Sequence, residues 1–352
     1  MLTETKTPGG GAADGYQWLG RDGGNVAAGT DMSFGEVRRL TVRCVSETGW
    51  FDSGVLWEDI RRAGGAWVNQ YDIAYSQGNA AGYCALLELE ALDGTTTRYL
   101  LDAGWSTEWM DQAFCKSGVD ALLKHRGIRA MILSHDHNDH FFGIESVLRY
   151  CPDITLYHPC TVMDRSLRLL DGEIVSSAPG APVNSVPHVG ERIPLEFGRV
   201  YVPQPGFCVV PFDVTVPLGV RGESVVYVKV RDKGYVVVTG CGHPGIGPIL
   251  AYCQDRFAEG RTLYGCYGGL HIAPFEIWND EMEESIRILR DAGLRKIACN
   301  HCTGRVWAAR ALADGLPVVR GTDAFRSYSR FVASVADDLD HVYVGNGDSV
   351  SF

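Results

Sequence analysis

Residues 134–143 read SHDHNDHFFG, which packs three of the chain's ten histidines and two aspartates into the six positions from His135 to His140. Imidazole nitrogen and carboxylate oxygen are the usual ligand atoms for zinc and similar divalent metals, at about 2.0–2.2 Å for zinc. The stretch follows the apolar run AMIL, so it sits where a short buried strand ends. In a turn after a strand, His135 and His137 can point one way while Asp139 and His140 lie on the following turn. Four ligands can then converge on two adjacent metals. The HxHxDH spacing is therefore read as half of a metal site rather than as a solvated polar loop, with Asp136 as a spacer that does not ligate.

Such a site needs further ligands from elsewhere. His243 in TGCGHPGI, His271 in YGGLHIAP and His301 in CNHCTG each follow a strand-like run and sit among small residues, where glycine permits close backbone approach. His243 and His301 are expected as ligands. For His271, ligation stands beside a second role, orienting substrate or a neighbouring ligand. Cys241 precedes His243 by two; it reads as a zinc-binding thiolate or as a buried structural thiol. Cys299 and Cys302 form a CxxC with no second CxxC beside it, and the pair is read as incidental. His125, His158, His188 and His341 have no such setting and are expected on the surface or in the core.

The elements that position these residues are legible in outline. RRLTVRCV at 38–45 alternates like a half-buried strand, and YCALLELEAL and TRYLLDAGW read as two strands joined by the turn DGTT. A helix is expected over 118–126, closed by Gly127, then a strand at 129–133 that runs into the histidine cluster. Beyond it follow a helix at 141–151, a strand at 154–158 and a helix at 164–172. The proline-containing stretch 173–222 is read as an insertion or rim. A hairpin over 224–240 turns at Asp232-Lys233-Gly234. Helices are then expected at 246–258 and 280–292, strands at TLYGCYGG and RKIAC, and a last helix after CTG. Strand, histidine, helix recurs, so several strand ends deliver histidines to one sheet edge.

These residues resemble the metallo-β-lactamase superfamily, whose hallmark HxHxDH stands here as His135-x-His137-x-Asp139-His140. The superfamily's upstream strand end with Asp and Gly looks like LLDAGW at 100–105. GCGHPGI, GGLHIAP and HCTG look like the branch named for the archaeal dihydropterin-methyl-ribofuranosylaminobenzene phosphate synthase. The resemblance runs from about residue 38 to 310. It implies an α/β fold, an αββα sandwich of two mixed β-sheets flanked by helices, with metal held where the sheets meet. By similarity His135, His137 and His243 hold a first metal, and Asp139, His140 and His301 a second. One departure stands out: the commonest pattern has a bridging Asp after a late strand, where this chain has Cys241. The segment 46–76 is also longer than in the branch's simplest members.

The bulk composition agrees. A chain of 352 residues that is 45% hydrophobic can bury a large core, here read as a flexible tail over 1–15 and one domain over 16–352 with insertions near 46–76 and 173–222. A formal charge of −11 argues against a general grip on nucleic acid or an anionic membrane surface. Eleven scattered cysteines and the absence of an apolar leader or membrane-length run point to the cytoplasm. The partner is expected to be a small molecule, with a homo-oligomer left open.

The chemistry expected is hydrolysis of an ester, amide or phosphoester, a pterin-like compound among the candidates, by hydroxide on Zn2+ (one or two ions, with Mn2+ or Fe2+ as alternatives). Asp139 ligates and orients the water, and His271 joins it in the catalytic set. Thr303, at the start of the last helix, is a candidate for receiving a substrate phosphate or a plain N-cap. Trp50, Phe51, Trp57 and their neighbours are expected to give an apolar wall for a ring. Two rival readings remain: an iron-dependent oxygenase or redox enzyme, and a binding or signal-response protein with a vestigial metal site.

Overall fold

The computed structural model describes residues 16–20, 25–28, 32–260, 262–280, 282–322, 342 and 344–352. The tail expected over 1–15 and His341 lie outside them. In chain order the described strands are β1 (Tyr16–Gly20), β2 (Asn25–Ala28), β3 (Arg39–Ser46), β4 (Cys84–Glu90), β5 (Thr96–Leu101), β6 (Ala130–Ile132), β7 (Thr155–Pro159), β8 (Arg192–Leu195), β9 (Val200–Gln204), β10 (Phe207–Thr215), β11 (Arg221–Val230), β12 (Gly234–Thr239), β13 (Leu263–Gly268), β14 (Lys296–Cys299) and β15 (Ser349–Ser351). The helices are α1 (Ser53–Ala63), α2 (Thr107–Ser117), α3 (Val119–Lys124), α4 (Asn138–Phe141), α5 (Glu145–Leu148), α6 (Asp164–Leu170), α7 (Ile246–Arg256), α8 (Met282–Asp291) and α9 (Arg305–Ala313).

Strand alternation builds the layers. Leu40, Val42 and Cys44 of β3 and Ala85, Leu87 and Leu89 of β4 face a core between the two sheets, while Cys84 and Leu86 face the other way. Each of these leucine and valine side chains taken fully out of water contributes about 1.5–3 kcal/mol. One sheet runs β15-β3-β4-β5-β6-β7-β8 and the other β14-β13-β12-β11-β10-β9-β1-β2. Helices α1 to α6 cover the first through Ile60, Met110, Phe114, Leu123 and Leu169, and α7 to α9 cover the second through Ile249, Leu289 and Trp307. This is the αββα sandwich of two mixed sheets.

Two elements differ from the sequence reading. Helix α2 was not foreseen; Ser106 caps it at Trp109 N–H (3.3 Å) and Gly118 ends it at φ +74, so the helix at 118–126 is its continuation after a glycine break. The stretch 173–222 is irregular only in its first part. Within it β8 closes one sheet and β10 pairs with β11 inside the other, so the later half is integral to the sandwich.

Strands β5, β6 and β7 run parallel, as do β12, β13 and β14. Their C-terminal ends therefore gather at one edge, the usual place for a site in such sheets. No described helix is long and apolar enough to cross a membrane.

Candidate metal centre

Four strand ends build the site. β5 runs into Asp102, β6 into Ser134 and His135, β12 into Cys241, and β14 into Asn300 and His301. Helix α4 begins directly after His137 and carries Asp139 and His140 inward. Asp102, His271 and His301 adopt left-handed φ values of +63°, +46° and +52°. Such strain in residues other than glycine is kept where the surroundings enforce it, often at functional sites.

The donor atoms meet in two groups. His135 Nε2 lies 2.9 Å from His137 Nδ1 and 3.2 Å from His243 Nε2. His140 Nε2 lies 3.1 Å from Cys241 Sγ and 3.2 Å from His301 Nε2, and Asp139 Oδ2 is 3.3 Å from His301 Nε2. In four of the five rings the outward-facing nitrogen is already engaged, which assigns the inward one. His140 Nδ1–H donates to Asp102 (2.7 Å), His301 Nδ1–H to the Glu47 carbonyl (2.9 Å), and His137 Nε2–H to the Pro217 carbonyl (2.9 Å). His135 Nδ1–H donates to Ser134 Oγ (2.9 Å), whose own proton goes to Asp102 (2.7 Å). When these four rings are neutral, their inward nitrogens are bare lone pairs facing one another. Neutral lone pairs repel at this distance, whereas ligands at about 2.0–2.1 Å around a tetrahedral ion stand roughly 3.3 Å apart. The donor set fits divalent metal, with His135, His137 and His243 in one half and Asp139, His140, His301 and Cys241 in the other.

The electrostatics divide the two halves: the first favours neutral rings, while Asp139 in the second favours positive charge on His140 and His301, a charge that a bound metal would replace. Burial, and then the neighbouring histidines, hold His135 and His243 well below the usual imidazole range, and burial brings His137 to about 4. Burial would raise Asp139, yet His140 and His301 outweigh it and keep the carboxylate ionised. Burial pulls His301 down, but Cys302 and Asp139 together lift it to about 9. Burial pushes the Cys241 thiol up, so a cation beside it is what makes it a thiolate.

The remaining sequence candidates fall into place unevenly. His271 is exposed at the mouth, its ring 4.1 Å from that of His243. Asp136 turns away: its carboxylate accepts from Met163 N–H (2.9 Å) and Ser166 Oγ–H (2.6 Å) and anchors α6. His158 and His188 are buried away from the cluster. Thr303 turns its side chain into the protein. It is fully buried, its hydroxyl accepts from Leu270 N–H (3.0 Å), and the anion position at the start of α9 is filled by Glu276, which takes Arg305 and Val306 N–H (2.9 Å each). Cys302, read as incidental, lies beside Cys241 and donates to its carbonyl (3.3 Å). Of the supporting groups, Asp102 stands in the LLDAGW strand end but with no role read from it, and Ser134 and the Glu47 carbonyl are not singled out in the sequence; Ser134 adjoins the motif, but a backbone carbonyl leaves no mark.

The sequence model of the metallo-beta-lactamase superfamily matches residues 79–217, the part of the chain that carries the hexapeptide from His135 to His140. Over 75 residues the chain is 32% identical to the 7,8-dihydropterin-6-methyl-4-(beta-D-ribofuranosyl)-aminobenzene-5'-phosphate synthase of Methanocaldococcus jannaschii, a match covering 21% of this chain and 24% of that one. Among solved structures, Tm1679, a metal-dependent hydrolase of the beta-lactamase superfamily, aligns at 18% identity over 78% of this chain and 91% of its own, with a TM-score of 0.45. The metallo-beta-lactamase fold protein YhfI of Bacillus subtilis aligns at 13% identity over 89% and 100%, with a TM-score of 0.46.

Proposed function

We propose that the chain is a metal-dependent hydrolase of a small organic ester or phosphoester. The observation that carries this reading is the convergence of ring nitrogens from His135, His137, His140, His301 and His243, the first four rings being held by a hydrogen bond from the opposite nitrogen. A divalent metal held there, zinc by the donor types with manganese or iron as alternatives, supplies Lewis-acid polarisation and a water of lowered pKa. The protein supplies the rest. Asp139, ionised and buried, ligates and accepts the hydrogen bond that orients the attacking water. His271, at the exposed mouth, is placed to hand a proton to the leaving group.

An aromatic run supports a ring-bearing substrate. The Trp50 ring is 6.1 Å from His301 and 6.1 Å from Phe275, and Phe275 is 4.7 Å from Trp57. The short likeness to the dihydropterin synthase adds a pterin-like ring as the finer candidate. On this reading the enzyme works in the cytosol on a small molecule, without a nucleic-acid or membrane partner, in keeping with eleven free cysteines.

The test is elemental analysis of the purified chain with a panel of phosphoesters, lactones and thioesters, repeated on His137→Ala and Asp139→Ala. Both variants are expected to lose metal and hydrolysis. Full metal content in both would overturn the ligand set, and bound iron with oxygen consumption would overturn hydrolysis.

A further inference from the structure

Glu223, on β11, is fully buried. Its Oε1 accepts from Cys241 N–H at 3.0 Å and Gly242 N–H at 2.7 Å, and its Oε2 from His243 N–H at 2.6 Å. Three consecutive N–H groups aimed at one anion form a backbone nest, a conformation that needs a left-handed residue, and Gly242 provides it at φ +76. Burying a carboxylate is costly, and peptide groups of a single loop offset part of that cost; burial still outweighs them and raises the Glu223 carboxyl. That loop carries a donor of each half of the centre: Cys241 Sγ beside His140, and His243 Nε2 beside His135.

We propose that Glu223 is the positioning residue of the metal centre. By fixing three peptide groups it sets how far Cys241 and His243 reach, and with that the metal affinity of both halves. Its sequence setting, within the strand ESVVYVKV, shows nothing of this; only the antiparallel pairing of β11 with β12 brings it beneath the 241–243 loop. The proposal rests on the reading of Cys241 and His243 as metal donors.

Cobalt(II) reports on both donors. The full-length protein is stripped with chelator, reloaded with cobalt, and compared with Glu223→Ala and Glu223→Gln. In Gln the single carbonyl oxygen can keep the Cys241 and Gly242 bonds while the amide nitrogen faces His243 N–H. Cobalt affinity is expected to fall about 10–100-fold in the Ala variant, as for other groups that orient metal ligands, and less in the Gln variant. The thiolate-to-cobalt charge-transfer absorption weakens in the same order, while far-ultraviolet circular dichroism stays that of the parent. Parental affinity with an unshifted spectrum in both variants overturns the proposal. Should the Ala variant not fold, the Gln variant decides by the same two readouts. A parent protein that takes up cobalt with no thiolate absorption overturns the donor reading of Cys241 itself, a result told apart from the first.

Discussion

Gly49 packs directly against Asp139: a Cβ at position 49 would stand 2.6 Å from Asp139 Oδ2 and 2.8 Å from His301 Cε1. The segment SETGW therefore closes over the second half of the centre at backbone thickness. Gly49→Ala forces that backbone or the ligands to move, at roughly 1–3 kcal/mol for an overpacked site. The expected result is a lowered melting temperature with less metal bound by Asp139 and His301. An Ala variant that melts and loads like the parent would show that the loop gives way freely.

Asp102 takes three donors at once, Ser134 N–H, Ser134 Oγ–H and His140 Nδ1–H, each at 2.7 Å. Asp102→Asn keeps the volume but turns one acceptor into a donor, so two N–H or O–H groups oppose each other. Metal affinity should fall about 10–100-fold, because the tautomers of His135 and His140 are no longer held. Chelator competition measures it, and an unchanged affinity would assign Asp102 to the fold alone.

Cys241 stands where the commonest superfamily pattern has an aspartate. Cys241→Ala is expected to lower the bound metal by the share held beside His140 and His301, leaving that of His135, His137 and His243. Cys241→Asp restores an anionic ligand and with it the metal content. Metal analysis of the two variants side by side decides; equal content in Ala and parent removes Cys241 from the ligand set.

How much of this could be read in the chain depended on distance along it. The hexapeptide around His137 is local, and its spacing marks it as a set of donor atoms. His243 and His301 stand out because each ends an apolar strand amid small residues, and the fold brings both to the hexapeptide. What stayed hidden were partners joined by tertiary pairing. Glu223 reaches the 241–243 loop by strand pairing, Glu47 meets His301 through a carbonyl, and Cys302 sits next to a ligand in a motif that resembles a redox pair. Helix α2 was missed because its apolar residues Trp109, Met110, Ala113 and Phe114 directly follow a strand end rich in turn formers. At the helix start beside Thr303, read as a phosphate site or an N-cap, the N–H groups of Arg305 and Val306 are taken by Glu276, a residue with no motif of its own.

Asn346 holds the loop that holds His301. Its Oδ1 accepts from Glu47 N–H at 2.6 Å, and its Nδ2 donates to Thr48 Oγ1 at 3.4 Å. Asn346→Ala leaves the buried Glu47 N–H without that acceptor, at a cost of about 1–3 kcal/mol. The expected outcome is weaker metal binding at His301 with that at His137 retained, read by metal stoichiometry after mild chelation. Loss of both halves together would mean that the loop supports the whole centre.

The bond from Asn346 to Glu47 spans 299 residues. A ribosome has made every ligand, from His135 to His301, well before it adds the residue that locks the loop over them. Chains fold progressively as they emerge, so the sandwich can form around an unfinished centre, and the centre acquires its final geometry only after synthesis has passed residue 346. A product interrupted before residue 346 would carry all the candidate ligands but lack the clasp on the loop that meets His301.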